Sequence, residues 1–369
     1  MRIMHISDTH LGYSAYSKVD SQGINQREAD FYDSFRQAID KAIEMRPDVV
    51  IHAGDLFDTV RPQNRAIDFA LKQLIRLSDE KIKTVLISGN HSTPRLRETG
   101  NIFRIFEHLD HIHSVHQPGL RKIVKGDLTI HAVPHSVAPP MHEFISNATP
   151  SGDTKYNVLV LHGGILGSNT YKMDEFNEQD VPASSISKDF DYVALGHFHR
   201  FTEVRRGMYY SGSTERLGFG EVGQKKGVIE VDLDEDKAIF HELTTRDMID
   251  IPSIDASELT SSEILKEARE RISASSIDDK IVRLTVSKVK PDAYRALEVA
   301  TVKKLGSAAM HFELKVGRVE TEEFREVSGG HIGSLSHEFQ QYVNSLEVSD
   351  SKKRKLAEIG LPYFSEDEG

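Results

Sequence analysis

The chain has 369 residues, a net charge of −11 and no cysteine, so disulfides and thiolate metal sites are excluded and two or three domains are expected. The acidic balance argues against a generic polyanion binder, so any nucleic-acid contact must rest on local basic patches or on bound metal. No apolar run approaches the ~18 residues of a membrane span, and Met1 leads into a strand pattern without a signal-peptide profile, so no membrane and a cytoplasmic setting are expected.

In chain order, a strand over Arg2–Ser7 delivers Asp8-Thr9-His10-Leu11-Gly12. The spacing of Phe31, Phe35, Ala38, Ile39, Ala42 and Ile43 predicts an amphipathic helix over Arg27–Met45, ended by Pro47. The run Val49-Val50-Ile51 reads as a buried parallel strand and leads to Gly54-Asp55. A second helix is predicted over Arg65–Ser78, a strand over Thr84–Ser88 leads to Gly89-Asn90-His91, and a third helix follows near Gly100–Leu109. This β-α-β-α-β alternation predicts a layered α/β sandwich.

The middle of the chain turns to consecutive strands. A hairpin is expected around Lys125-Gly126-Asp127, and the runs Val158–Leu161 and Tyr192–Leu195 stop at His162 and at Gly196-His197-Phe198-His199. Further strands read at Met208–Ser211, Gly227–Val231 and Ile239–Leu243. Past Pro252 a small β-α-β-α-β unit is predicted, with helices at Ser261–Ile272 and Asp292–Leu305 and strands at Ile281–Val286 and His311–Val316. From Gly329 onward come two short helical patterns, the first carrying Leu335, Phe339, Tyr342, Val343 and Leu346 on one stripe, and then an acidic tail.

Asp8, His10, Asp55, Asn90, His162, His197 and His199 are the candidate metal ligands. All offer oxygen or nitrogen, which suits divalent ions such as Mn, Fe or Zn. One strand ending in polar residues is unremarkable, whereas five make a site. Seven donors exceed what one ion takes, so two ions are expected, and two ions ~3.5–4 Å apart clamp a phosphorus centre for in-line displacement. Two carboxylates leave such a pair with a positive excess, which attracts a phosphodiester anion. Arg61, Arg65, Arg95, Arg97, Arg200, Arg205 and Arg206 flank these loops as candidate phosphate contacts or as solvated surface.

The set Asp8-x-His10, Gly54-Asp55, Gly89-Asn90-His91, His162 and Gly196-His197-x-His199 resembles the calcineurin-like metallophosphoesterase superfamily. Asp8-Thr9-His10-Leu11-Gly12, Gly54-Asp55-Leu56-Phe57 and Ser211-Gly212-Ser213-Thr214-Glu215-Arg216 resemble, within it, the double-strand-break repair nucleases of the meiotic-recombination-eleven and SbcD family. The resemblance implies a four-layer αββα sandwich over 1–246, an α/β capping domain over 247–328 and a C-terminal helical ATPase-binding segment with its acidic tail over 329–369. It implies that Asp8, His10 and His199 hold one metal, that Asn90, His162 and His197 hold the other, and that Asp55 bridges both. Mn2+ is the ion it implies.

His91 would then act on the transition state or protonate the leaving oxygen. The implied activity is Mn-dependent exonuclease and endonuclease processing of broken DNA ends, single- and double-stranded. The implied partners are an SMC-like ABC ATPase and a second copy of the chain, paired through helices near Arg65–Ser78 and Gly100–Leu109, on the nucleoid. A small-substrate phosphodiesterase or phosphatase of the same superfamily is the alternative. Two departures stand out. Ser92 occupies the place of the Asp that would orient His91, a role open to Asp58 or another carboxylate, and Asp58 itself stands where family members often carry a His.

Overall fold

The computed structural model describes residues 1–94, 100–166, 179–319, 339, 342–343 and 350–360. Four parallel strands, β1 (Arg2–Ile6), β2 (Val49–His52), β3 (Lys83–Ile87) and β4 (Ile112–Val115), lie side by side. The crossovers are α1 (Gln26–Met45) and α2 (Asn64–Asp79). Asn25 starts α1 by accepting from the amides of Arg27 and Glu28, which satisfies donors that the first turn leaves open.

The chain then builds a second sheet from the hairpin β5 (Arg121–Lys125) and β6 (Leu128–Val133). After α3 (Met141–Ile145) and β7 (Tyr156–His162) comes a two-stranded ribbon of β8 (Gly164–Leu166) and β9 (Asp180–Pro182). The sheet is completed by β10 (Tyr192–Gly196), β11 (Thr202–Arg205) and β12 (Met208–Tyr210), in the order β11-β12-β10-β7-β6-β5. The chain returns to the first sheet with β13 (Gly227–Asp232) and β14 (Lys237–Glu242), giving β14-β13-β1-β2-β3-β4.

Side-chain alternation decides the layers, because successive residues of a strand point to opposite faces. Ile3, Val49, Ile51, Val85, Val158 and Val160 fill the core between the sheets. Met4, Ile6, Val50 and Leu86 point the other way, onto Phe35, Ile39 and Leu74 of the helices. Leu159, Leu161 and Leu195 face outward from the second sheet onto Met141, Ile145 and Val181. Strands buried on both faces read as unbroken apolar runs, which is why the sequence reveals them so plainly. The expected αββα sandwich is therefore present. Among the described residues, its outermost layer on the second sheet is thin: α3, the 3-10 turn Ala183–Ser185 and the β8–β9 ribbon.

Two predicted helices take other forms. The segment near 100–109 is a 3-10 helix over Ile102–His108, with Asn101 capping the amide of Phe103. Residues three apart eclipse in a 3-10 helix, so Phe103 and Phe106 both reach the core, where each is 0% exposed. The helix predicted over Asp292–Leu305 is two, α5 (Pro291–Ala296) and α6 (Val299–Leu305), when numbered after α4 (Ser261–Ala274). Leu297 leaves helical backbone at ψ 117° and is buried, which ends α5.

The unnamed first strand of the small α/β unit is β15 (Met248–Asp255). It forms a three-stranded sheet with β16 (Ile281–Val289) and β17 (His311–Arg318), in the order β15-β16-β17. By contacts the chain divides into two units. One is 1–252 with 269–284 and 299–314; the other is 253–268 and 285–298 with 315–369.

Of the C-terminal stripe, Leu335 and Leu346 lie outside the described residues, as do Arg95, Arg97, Gly329-Gly330 and the acidic tail. A helix covers Asp350–Gly360. No described helix is long and apolar enough to cross a membrane.

Candidate metal centre

Five strands, β1, β2, β3, β7 and β10, end on one side of the stacked sheets, and the seven expected donors lie at or just past those ends. Left-handed backbone turns them inward. Asp8, His10, Asp55 and His197 adopt φ of 51°, 42°, 51° and 106°, a region that residues other than glycine visit rarely and that recurs at functional sites. The loops brace one another: the Asp8 amide donates to Gly54 O at 3.0 Å and the His10 amide to Asp55 O at 3.0 Å. Close approach needs glycine. A Cβ on Gly54 would overlap the His162 imidazole, and one on Gly89 would overlap the Asp55 carboxylate.

The buried donors fall into two overlapping clusters, Asp8–His10–His199 and Asp8–Asp55–His162. In the first, His10 Nε2 and His199 Nε2 are 3.2 Å apart. In the second, His162 Nε2 lies 3.0 Å from Asp55 Oδ2 and 2.8 Å from Asn90 Oδ1. The His197 ring stands 5.5 Å from that of His162, and the His197 amide donates to Asp8 Oδ1 at 3.0 Å. A third group of His10, Asp55 and His91 joins Asp55 to the His10 side. All seven expected residues and His91 are thus brought together.

The donor set fits divalent cations. Each imidazole with an assigned outer contact turns Nδ1 outward: His162 to Ala53 O at 2.9 Å, His199 to Glu221 Oε1 at 2.9 Å, His10 toward Asp58 Oδ1 at 3.3 Å. In its neutral form an imidazole protonated at Nδ1 carries its Nε2 lone pair into the cluster, as His162 and His199 would toward a cation. Lone pairs facing at 3.2 Å repel unless a cation lies between them, and ligands held ~2.1 Å from one ion at right angles sit ~3 Å apart. Asp55 Oδ2, fully buried, accepts no hydrogen bond.

The electrostatics agree. Burial by itself would lower the His162 pKa, but Asp55 and then Asp8 overcome it and raise it to about 9. Burial would raise that of Asp55, yet His162, His91 and His10 hold it well below the carboxylate range. The cluster is a place where positive charge is favoured.

His91 sits at the edge, its ring 4.9 Å from that of His10 and its amide donating to Asp55 Oδ1 at 3.1 Å. The orienting contact expected from a carboxylate comes from a carbonyl instead: His91 Nδ1 lies 2.6 Å from the main-chain oxygen of Asp58. The Asp58 carboxylate is turned toward His10. Ser92 contributes nothing to His91, since its buried hydroxyl has no partner. Of the flanking arginines, Arg65 pairs with Glu28, Arg205 donates to the Ile186 and Ser187 carbonyls, and Arg206 pairs with Asp236.

Ser7, Ser211, Glu221 and Lys226 escape a reading of the sequence. Ser7 Oγ donates to Asp8 Oδ2 at 2.5 Å and meets Ser211 Oγ at 2.7 Å. Burial would raise the Glu221 pKa, but His199 and Lys226 pull it down to about 2. Ser7 and Ser211 directly follow β1 and β12, and Lys226 directly precedes β13, but a serine or a lysine at a strand boundary is no signal of a metal site, and Glu221 lies in a 3-10 turn.

Paired sheets whose strand ends gather buried carboxylate, imidazole and amide donors define a metallophosphoesterase domain. The chain belongs to the calcineurin-like phosphoesterase family, whose profile matches residues 1–201. It is 35% identical over 201 residues to the DNA double-strand break repair protein Mre11 of Sulfurisphaera tokodaii, covering 54% of this chain and 49% of that one. Identity to the protein of the same name from Methanococcus maripaludis is 30% over 244 residues, 61% and 60% of the two chains. For that of Thermoplasma acidophilum it is 32% over 244 residues, 62% and 61%. The aligned part thus spans about half to three-fifths of these relatives' length.

Proposed function

We propose that this chain is a metal-dependent DNA nuclease that processes double-strand-break ends, with exonuclease and endonuclease activity supported by two Mn2+ ions. The observation that carries the reading is the clustering of Asp8, His10, Asp55, His162 and His199, with Asn90 and His197 against His162, in a chain similar to proteins named for double-strand break repair. Asp8, His10 and His199 would hold one ion, Asn90, His162 and His197 the other, and Asp55 both. Bound there, such ions supply Lewis acidity and a nucleophile at neutral pH.

The chain's own groups do the rest. Asp58 O holds His91 Nδ1–H, which leaves Nε2 as the atom that hands a proton to the leaving oxygen. Asp55, accepting from the His91 amide, keeps that imidazole beside the donor cluster.

The assembly is part of the proposal. A groove of about 580 Å³ beside α2, lined by Val60, Pro62, Ile67, Ile102 and Ile105, supports pairing with a second copy. Tyr342, Leu356 and Ile359 are exposed at 63%, 42% and 59%, which supports helix-in-groove docking on an SMC-like ABC ATPase at the nucleoid. The division into a nuclease domain (1–246), a cap (247–328) and an ATPase-binding segment (329–369) belongs to the same reading.

The test is incubation with linear duplex DNA, single-stranded DNA and a chromogenic phosphodiester, each with Mn2+ or with chelator. DNA should be degraded only with Mn2+, and Asp55→Asn should abolish it by damaging both metal positions. Turnover of the small phosphodiester alone would replace this reading with a small-substrate phosphodiesterase.

A further inference from the structure

Two of the three side chains of one proposed metal position are hydrogen-bonded by polar groups that the metal reading leaves without a role, and the third has a carboxylate beside it. Asp8 accepts from Ser7 Oγ at 2.5 Å. His199 Nδ1 donates to Glu221 Oε1 at 2.9 Å, and His10 Nδ1 points toward Asp58 Oδ1 at 3.3 Å. The outer partner of His162, by contrast, is a neutral carbonyl, Ala53 O.

Glu221 is itself tightly fixed. Its second oxygen takes Lys226 Nζ at 2.7 Å and the Leu217 amide at 3.1 Å. Lys226 is fully buried, and its ammonium also donates to His199 O at 2.8 Å and Ser213 Oγ at 2.9 Å. Lys226 and Glu221 therefore grip both ends of His199, one at the main chain and one at the imidazole. A buried lysine is costly unless paired and hydrogen-bonded, and here it is both. The Ser211–Arg216 stretch, which the proposed chemistry does not use, supplies Ser211 behind Ser7 and Ser213 behind Lys226.

A carboxylate on the outer nitrogen of a ligating imidazole fixes its tautomer and pushes electron density toward the metal, whereas a carbonyl does so less. We infer that Glu221, anchored by Lys226, and Asp58 are positioning residues that make the Asp8–His10–His199 position the tighter of two metal positions, so that it fills first. The inference rests on the two-metal reading of the proposed function.

The experiment is a Mn2+ titration of the full chain, with free Mn2+ and the mononuclear and spin-coupled signals read by electron paramagnetic resonance. The parent chain should show a tight and a weaker class, with the mononuclear signal first and the coupled signal as the second ion enters. Glu221→Gln/Lys226→Met, which removes the charge pair together, and Asp58→Asn should each weaken only the tight class, by about 10–100-fold. Asp58→Glu should restore it.

Melting in chelator checks the fold. If the double variant is unfolded there, Asp58→Asn decides alone, since Asp58 is on a separate loop and 24% exposed. Equal classes in the parent chain, or variants that weaken both classes alike or neither, would overturn the inference. Binding of fewer than two Mn2+ by the parent chain would instead sink the two-metal reading.

Discussion

Gly54→Ala is the sharpest single-atom test of how the site is built. Gly54 has φ 102°, and an added Cβ would overlap the His162 ring. Holding an alanine in left-handed backbone costs about 1–2 kcal/mol. Displacing His162 loses its hydrogen bond to Ala53 O, about 1 kcal/mol more. The sum of roughly 2–3 kcal/mol should lower the melting temperature in chelator by about 4–6 °C for a unit of this size. The same displacement moves Nε2 away from Asp55 and Asn90, so the position that contains His162 should fail to bind Mn2+ while the other is retained.

Gly126→Ala is the control. Gly126 lies in the β5–β6 turn at φ 54° with nothing within 4 Å of an added Cβ, so it should cost only the backbone term and bind two ions. Calorimetry with paired Mn2+ titrations decides. A Gly54→Ala chain that melts like the Gly126→Ala chain and binds both ions would refute the close-approach argument.

His91→Ala should keep both metals and DNA affinity while losing about 10²–10⁴-fold in turnover; parallel loss of metal would make His91 a ligand. In chelator, stability should fall as pH rises. The His162 pKa is raised to about 9 in the folded chain, so its contribution is complete below the unfolded value near 6.5 and is lost as pH climbs through 9, a slope that denaturant melts at several pH values would read. Mn2+ should reverse that slope, because the metal replaces the proton and binds better as the imidazole deprotonates. If the proposed ATPase partner docks on this segment, removing residues after Gly330 should abolish co-purification with it while leaving the proposed Mn-dependent nuclease activity, and unchanged co-purification would show that docking lies elsewhere.

Local chemistry made much of this protein legible from its sequence. A strand buried on both faces is largely apolar, and it stops where polar groups are needed, so Val49–Ile51 before Gly54-Asp55 and Tyr192–Leu195 before His197 announce both strand and donor. The seven metal-ligand candidates are read from those endings; the tertiary structure clusters Asp8, His10, Asp55, His162 and His199, with Asn90 Oδ1 2.8 Å from His162 Nε2 and the His197 ring 5.5 Å from that of His162.

What the chain order does not reveal depends on how its loops fold onto one another. Lys226 reads as a solvated charge until Glu221 and the carbonyl of His199 are seen around it, because the cost of burying an ammonium is decided by what surrounds it in space. Asp58 was readable as a carboxylate near His91, but only the loop's backbone path turns its carbonyl to His91 and its carboxylate to His10. The Ile102–His108 segment has a helix former's pattern, and its packing selects the 3-10 form that drives Phe103 and Phe106 into one core. Apolar periodicity is a property of neighbours along the chain and survives in the sequence. Which charge is desolvated, and which atom of a residue does the orienting, is settled only when separate loops and strand ends fold onto one another.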